Sequence, residues 1–228
     1  MPRQRHKPES RAPVWREREK TLAWEGEPVL TYTVKALALP AAPARLERYY
    51  QRMEAAWTAR WERLLYPRAC AALRDARAAS RPFRPWEASL TPAVTLDAPE
   101  RLSLTVDAVE RLDGPHAVTL RRGEAWALPG GKPLALAELF PAGFRWRRWV
   151  LEEVARQLQA RQASGEARFW PDWERRLARA FDPERFFLTE EGPAVFFSLY
   201  ALGPYVEGIP TFPLRLPAQE EAPVPAQF

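Results

Sequence analysis

Apolar side chains are sparse over residues 1–20, and the first periodic signal comes just after them. Leu30, Tyr32, Val34 and Ala36 alternate with Thr31, Thr33 and Lys35, the period of two that turns one side of a strand toward a core. Pro40 and Pro43 mark a break. Beyond them Leu46, Tyr50, Met53, Trp57, Trp61 and Leu64 recur every three or four residues and lay one apolar stripe along a helix. Pro67 is expected to kink or end that helix, with a second helical stretch over Arg68–Ala79.

Arg81–Pro85 reads as a linker into a β-rich stretch. Leu90, Val94 and Leu96 alternate with Thr91, Ala93 and Thr95, and Leu102, Leu104, Val106 and Ala108 alternate with Ser103, Thr105 and Asp107. After the turn Asp113-Gly114-Pro115, a third run, His116–Leu128, ends at Pro129-Gly130-Gly131. Three strands with short connections predict an antiparallel meander with one face on the core. Leu134–Phe140 fits one or two helical turns. Helices are expected over Trp146–Gln162, with Val150, Val154 and Leu158 on one face, and over Asp172–Phe181, with Trp173, Leu177 and Phe181 aligned.

Phe186–Thr189 and Ala194–Tyr200 flank Glu190-Glu191-Gly192-Pro193 and are apolar on both faces, as in strands lying centrally in a sheet. Phe196 and Phe197 then point to opposite faces, both covered. A last strand turns Phe212, Leu214 and Leu216 inward and Pro213 outward. That suits an edge, where Phe212 is expected to be less enclosed than Phe196 and Phe197. The fold class is α+β, with antiparallel sheets carrying packed helices in two closely associated subdomains. The expected division is a disordered basic tail at 1–20, a smaller subdomain of strand, long helix and strand at 21–100, a second domain at 101–217 and a flexible tail at 218–228.

Composition sharpens this reading. With 228 residues, 46% hydrophobic and 12% aromatic, the chain can bury a real core. The net charge of +5 is unevenly placed: residues 1–20 hold seven cations and three acids, leaving 27 cations against 26 acids for the rest. Only the tail is basic, so nucleic-acid binding through that arm ranks last among the functions considered. One cysteine, Cys70, cannot form an intramolecular disulfide, and it sits among alanines as a small helix residue. No apolar run approaches the roughly 18–20 residues of a membrane-spanning helix, and the start lacks the apolar stretch of a signal peptide. A cytoplasmic location is the expectation.

The chemistry is sparse. His6 lies in the tail and His116 follows a Gly-Pro turn, with no spacing that pairs either as a zinc ligand or general base. Neither a cofactor nor a metal is expected. Trp146, Trp149, Trp170 and Trp173 cluster around the two C-terminal helices, interleaved with arginines such as Arg148. With His116, these residues form the candidate binding surface, since Trp and Arg dominate interface hot spots. The competing reading, which carries more weight, has the tryptophans filling the core under snorkelling arginines.

Several landmarks resemble those of the RsiV C-terminal-like family, a domain of unknown function. Asp113-Gly114-Pro115-His116 resembles its turn between two strands. Leu134-Ala135-Leu136-Ala137-Glu138-Leu139-Phe140, after Gly131-Lys132, resembles its L-x-x-L-F element. The strongest match is Phe186-Phe187-Leu188-Thr189-Glu190-Glu191-Gly192, running into Val195-Phe196-Phe197 and closing on Tyr205-Val206-Glu207-Gly208-Ile209-Pro210. The 101–217 domain corresponds to that family and the upstream subdomain to the smaller domain that usually precedes it. The resemblance implies a binding or sensing module without catalytic residues, similar to the lysozyme-binding part of an anti-sigma factor. The partner it implies is a protein or a cell-wall-related ligand. The rival reading is a cell-wall carbohydrate-active enzyme or its accessory domain, related to the deacetylases that carry such modules.

Overall fold

Val14–Trp24 and Glu27–Ala38 form two antiparallel strands, β1 and β2, in the structure, a computed structural model that describes residues 14–39 and 42–216. Their two-residue turn, Glu25-Gly26, has positive φ at both positions (50° and 83°), the hairpin geometry whose twist matches the strands it joins. Residues 14–20, expected in the disordered tail, are therefore strand. The reason is visible in Arg16-Glu17-Arg18-Glu19-Lys20: this strand alternates the sign of charge instead of polarity, so hydrophobic periodicity does not register it. The remaining residues of the expected tails, 1–13 and 218–228, lie outside the described residues, as does Pro217.

Helix α1 (Ala44–Arg60) runs into a single π-helical turn, Trp61–Leu65, and on into α2 (Tyr66–Ala78). Pro67 was expected to kink or end this helix. Instead, the N–H of Tyr66 reaches back five residues to the carbonyl of Trp61, and the widened turn accommodates the missing proline donor without ending the helix. The helices carry the chain to β3 (Trp86–Ala98), which pairs parallel with β2, Leu30 opposite Trp86 and Val34 opposite Leu90. Parallel neighbours need such a crossover, and this pair departs from the expected all-antiparallel sheet. Strands β4 (Arg101–Arg111), β5 (Val118–Ala127) and the short β6 (Lys132–Pro133) follow in order, giving a six-stranded sheet β1-β2-β3-β4-β5-β6. A second, antiparallel sheet holds β7 (Phe186–Thr189), β8 (Gly192–Phe196) and β9 (Thr211–Pro213), with β8 in the middle. Helices α3 (Trp146–Ala163) and α4 (Trp173–Ala180) precede it.

The chain divides into two compact units. Of the described residues, the first comprises those up to Pro92, Val109–Ala117 and Leu128–Gly131; the second comprises Ala93–Ala108, Val118–Ala127 and those from Lys132 on. In the first, Trp61 is wholly enclosed; its ring lies 5.3 Å from that of Tyr32, and its indole N–H donates to Glu110 Oε1 (3.1 Å). Arg60 Nε donates to the same oxygen (3.0 Å), so the buried carboxylate is neutralised where it stands. In the second, Val150, Val154 and Leu158 of α3 meet Trp173, Leu177, Phe186, Val195, Phe197 and Phe212 in one core. Phe196 lies on the other side of β8 with Phe187 and Ala194, the alternation the sequence implied. Phe212 departs from expectation. Although β9 is an edge strand, its ring is fully enclosed, edge-on to Phe197 (5.7 Å, 80°) and capped by the Arg161 guanidinium 4.8 Å away. Two contacts fix β7 within this unit. Ser103 Oγ accepts from the Leu188 N–H and donates to the Glu124 carbonyl, both at 2.8 Å. A Cβ on Gly123 would sit 1.9 Å from the Phe186 carbonyl oxygen, so only glycine fits there.

Candidate functional site

Trp146 and Trp149 open α3, and both are half-buried. They converge on Phe140, 6.0 Å and 5.7 Å away between ring centroids; Phe144 stacks on the same ring at 5.7 Å. Trp146 also meets Phe181, over which Arg147 lies at 5.5 Å. Arg148 is exposed and bonded to Glu152 (2.7 Å) one turn on. Trp173 is 5% exposed, and its indole donates to Gln162 Oε1 (3.1 Å), so it is a core residue and not part of a surface. His116 stands exposed in the other unit, in the turn after Asp113, whose carboxylate accepts from the Trp86 indole (2.8 Å). The sequence-derived set thus separates into an aromatic cluster (Trp146, Trp149), a core tryptophan, a helix-surface arginine, a turn histidine and Trp170.

Trp170 leads to a surface the sequence reading missed. Its backbone N–H donates to Leu202 O (2.8 Å) and its indole N–H to Tyr200 O (3.1 Å). It thereby fixes one side of the loop between Phe197 and Thr211. Leu202 is driven into the core as an anchor. The Arg168 N–H donates to Glu207 Oε1 (2.8 Å), the Phe197 N–H donates to the Pro210 carbonyl (3.0 Å), and Tyr205–Glu207 form a 3-10 turn. Held this way, the loop turns Val206 (80% exposed) and Tyr200 (47% exposed) to solvent; the Tyr200 and Tyr205 rings are 5.9 Å apart. Tyr200 also adopts φ 65°, a left-handed conformation that costs a non-glycine residue about 1–3 kcal/mol. The sequence did carry a signal. Tyr205 and Val206 lie in a Gly- and Pro-punctuated stretch with neither strand nor helix period, so no core-facing side accounts for their hydrophobicity; Tyr200, expected to end the strand Ala194–Tyr200, lies beyond β8, which stops at Phe196.

The first unit holds a cleft of about 930 Å³ between β1 and α1, over a floor of Val34, Ala36, Ala38 and Ala55. Arg16, Arg18 and Lys20 face it from β1, Glu47 and Glu54 from α1, and Glu62 from the π-helical turn that follows. Arg18 pairs with Glu54 (2.7 Å) and Lys20 with Glu62 (2.6 Å); the Tyr32 hydroxyl donates to the same Glu62 oxygen (2.6 Å). The Lys20 and Tyr32 hydrogen bonds hold the Glu62 carboxyl below its ordinary range, and the Lys20 ammonium is raised in return. Burial pushes the Glu54 carboxyl up against the opposing pull of Arg18, and burial followed by Glu62 raises the Tyr32 phenol. Among the described residues no group of three or more His, Cys, Asp or Glu side chains could hold a metal ion, and no helix is long and apolar enough to cross a membrane.

These features define an α+β protein with a six-stranded sheet, a three-stranded sheet and a solvent-facing apolar loop held by hydrogen bonds at both sides. Residues 137–216 match the family described as "Protein of unknown function (DUF3298)". That stretch spans α3, α4, the second sheet and the loop. Two solved structures share the fold. A DUF3298 family protein from Pseudomonas aeruginosa PAO1 is 16% identical over 88% of each chain, with a TM-score of 0.59. A member of the same family from Bacteroides fragilis NCTC 9343 is 14% identical over 90% of each chain, with a TM-score of 0.61. No curated protein matches the chain.

Proposed function

We propose that this chain is a non-catalytic binding module that takes a protein ligand on the loop between Phe197 and Thr211, with Tyr200, Tyr205 and Val206 as its contacts and Trp170 as their support. One observation carries the reading: apolar side chains are presented to water by a loop whose backbone is tied down on both sides, at the cost of a left-handed tyrosine. Exposed apolar groups on a mobile loop would be ordinary surface. On a rigid one they are preorganised, so little conformational entropy remains to be lost on association. Tyrosine and tryptophan are also the side chains that most often anchor interfaces. The resemblance to an anti-sigma factor's lysozyme-binding domain names the first protein to try.

The test is a calorimetric titration of the chain with lysozyme, repeated with Val206→Glu, whose charge would have to be desolvated in any apolar contact. Saturable binding is expected, weakened at least tenfold in the variant, with an unchanged melting temperature because Val206 supports no core. Equal affinity in both proteins would remove the loop from the interface. A wall-hydrolase activity abolished by one carboxylate substitution would replace the binding module with an enzyme.

A further inference from the structure

We infer that the cleft between β1 and α1 is a binding site for a short free peptide, whose carboxylate is taken by Arg16 and whose ammonium is taken by Glu47. The cleft is built as a ladder. Cations stand on alternate residues of β1, across from Glu47 and Glu54 of α1 and Glu62 of the π-helical turn that follows, and two rungs are closed: Arg18 with Glu54, and Lys20 with Glu62. The third is open. Among the described residues Arg16 has no carboxylate partner and Glu47 accepts only from Gln51 Nε2, at 3.3 Å.

Arg16 and Glu47 extend the two walls one step beyond the closed Arg18–Glu54 rung. The floor here is small, since Arg16 sits opposite Ala36 in the hairpin and Ala38 and Ala55 line the same cleft. The result is a slot with a guanidinium on one wall, a carboxylate on the other and apolar methyl groups between. A ligand of one sign would satisfy one wall and be repelled by the other. A zwitterion satisfies both, and alanine-sized side chains suit the floor. The cleft volume of about 930 Å³ falls within the range of ligand pockets.

The experiment uses the full chain and dialanine as the probe, followed by calorimetry. Free dialanine is expected to bind saturably, and N-acetyl-dialanine and dialanine amide to bind at least tenfold more weakly. Arg16→Gln should abolish the preference for the free carboxylate, and Glu47→Gln the preference for the free ammonium. Both variants should melt like the parent, because neither breaks a closed rung. The exchange Arg16→Glu with Glu47→Arg should restore dialanine binding with the peptide reversed. Equal binding of free and blocked peptides, undiminished binding by Arg16→Gln, or no binding of free dialanine would each overturn the assignment.

Discussion

Phe196, Phe197 and Phe212 show how much a single side chain's surroundings can diverge from its position in a sheet. Phe196, the last residue of the middle strand of the second sheet, and Phe197, just beyond it, point to opposite sides, each enclosed, and strand alternation announced that. Phe212 was expected to be the least costly of the three to remove, because its strand lies at an edge. An edge leaves backbone groups unpaired, but it does not leave side chains uncovered. Phe212 faces α3, where Arg161 caps its ring and donates through Nη2 to the Thr211 carbonyl (3.1 Å). Phe197→Ala and Phe212→Ala should therefore cost similar amounts, about 3–5 kcal/mol each. Urea unfolding of the two variants checks this. A Phe212→Ala loss well below that of Phe197→Ala would mean the edge relaxes into the cavity.

At the scale of elements, most of what depended on apolar periodicity was legible. The helices over 44–60, 146–163 and 173–180 followed their stripes, and the central hairpin followed its two-sided hydrophobicity as far as Phe196, short of the expected Tyr200. The misses have physical causes. β1 offers no apolar period because its partners are charges: its cations meet Glu54 of α1 and Glu62 of the π-helical turn across the hairpin's face. The parallel pairing of β2 with β3 could not be read because alternation gives a strand's faces and not its direction. The loop surface was missed because periodicity looks for buried faces, and Val206 has none.

The β1–α1 ladder carries its own prediction. Glu62 has a carboxyl pKa held below its ordinary 4.5 by hydrogen bonds from Lys20 and Tyr32. A depressed folded-state pKa contributes stability above the unfolded value and loses it as pH falls through the folded value. Glu62→Gln should thus lower the melting temperature at neutral pH, and the difference from the parent should shrink below its ordinary 4.5. Glu54 runs the other way. Burial raises its carboxyl, so the stability tied to its protonated form is present in acid and lost as pH rises through the folded value. A Glu62→Gln deficit that stayed constant into acid would show that its carboxylate adds nothing to the hairpin.

For the molecule as a whole, the path of the chain matters more than the number of units. Dividing the sequence at residue 100 would take from the first unit Glu110, which receives Arg60 and Trp61, and Asp113, which receives Trp86. It would take from the second unit Leu96, which packs against that unit's core. The fragments 1–100 and 101–228 should each fail to melt cooperatively by circular dichroism, while the intact chain does. A cooperative transition in 101–228 alone would show that residues 93–100 are dispensable to it.

The alternation of charge in β1 has a last consequence, set by parity. β1 lies at the edge of its sheet, where unpaired backbone groups invite another strand. When two copies of one strand pair antiparallel about a two-fold axis, residue i faces residue j with i plus j even, so every opposed pair shares a side of the ribbon. On one side of β1 stand Arg16, Arg18 and Lys20, and on the other Glu17 and Glu19. Around Arg18 the opposed pairs are Arg with Arg, Glu with Glu, and Arg with Lys. A shift of the axis to a neighbouring residue again sets like charges against each other. Opposed like charges destabilise a sheet, so the ribbon repels its own image, and the edge is protected against fusing into a continuous sheet by the order in which its charges are written.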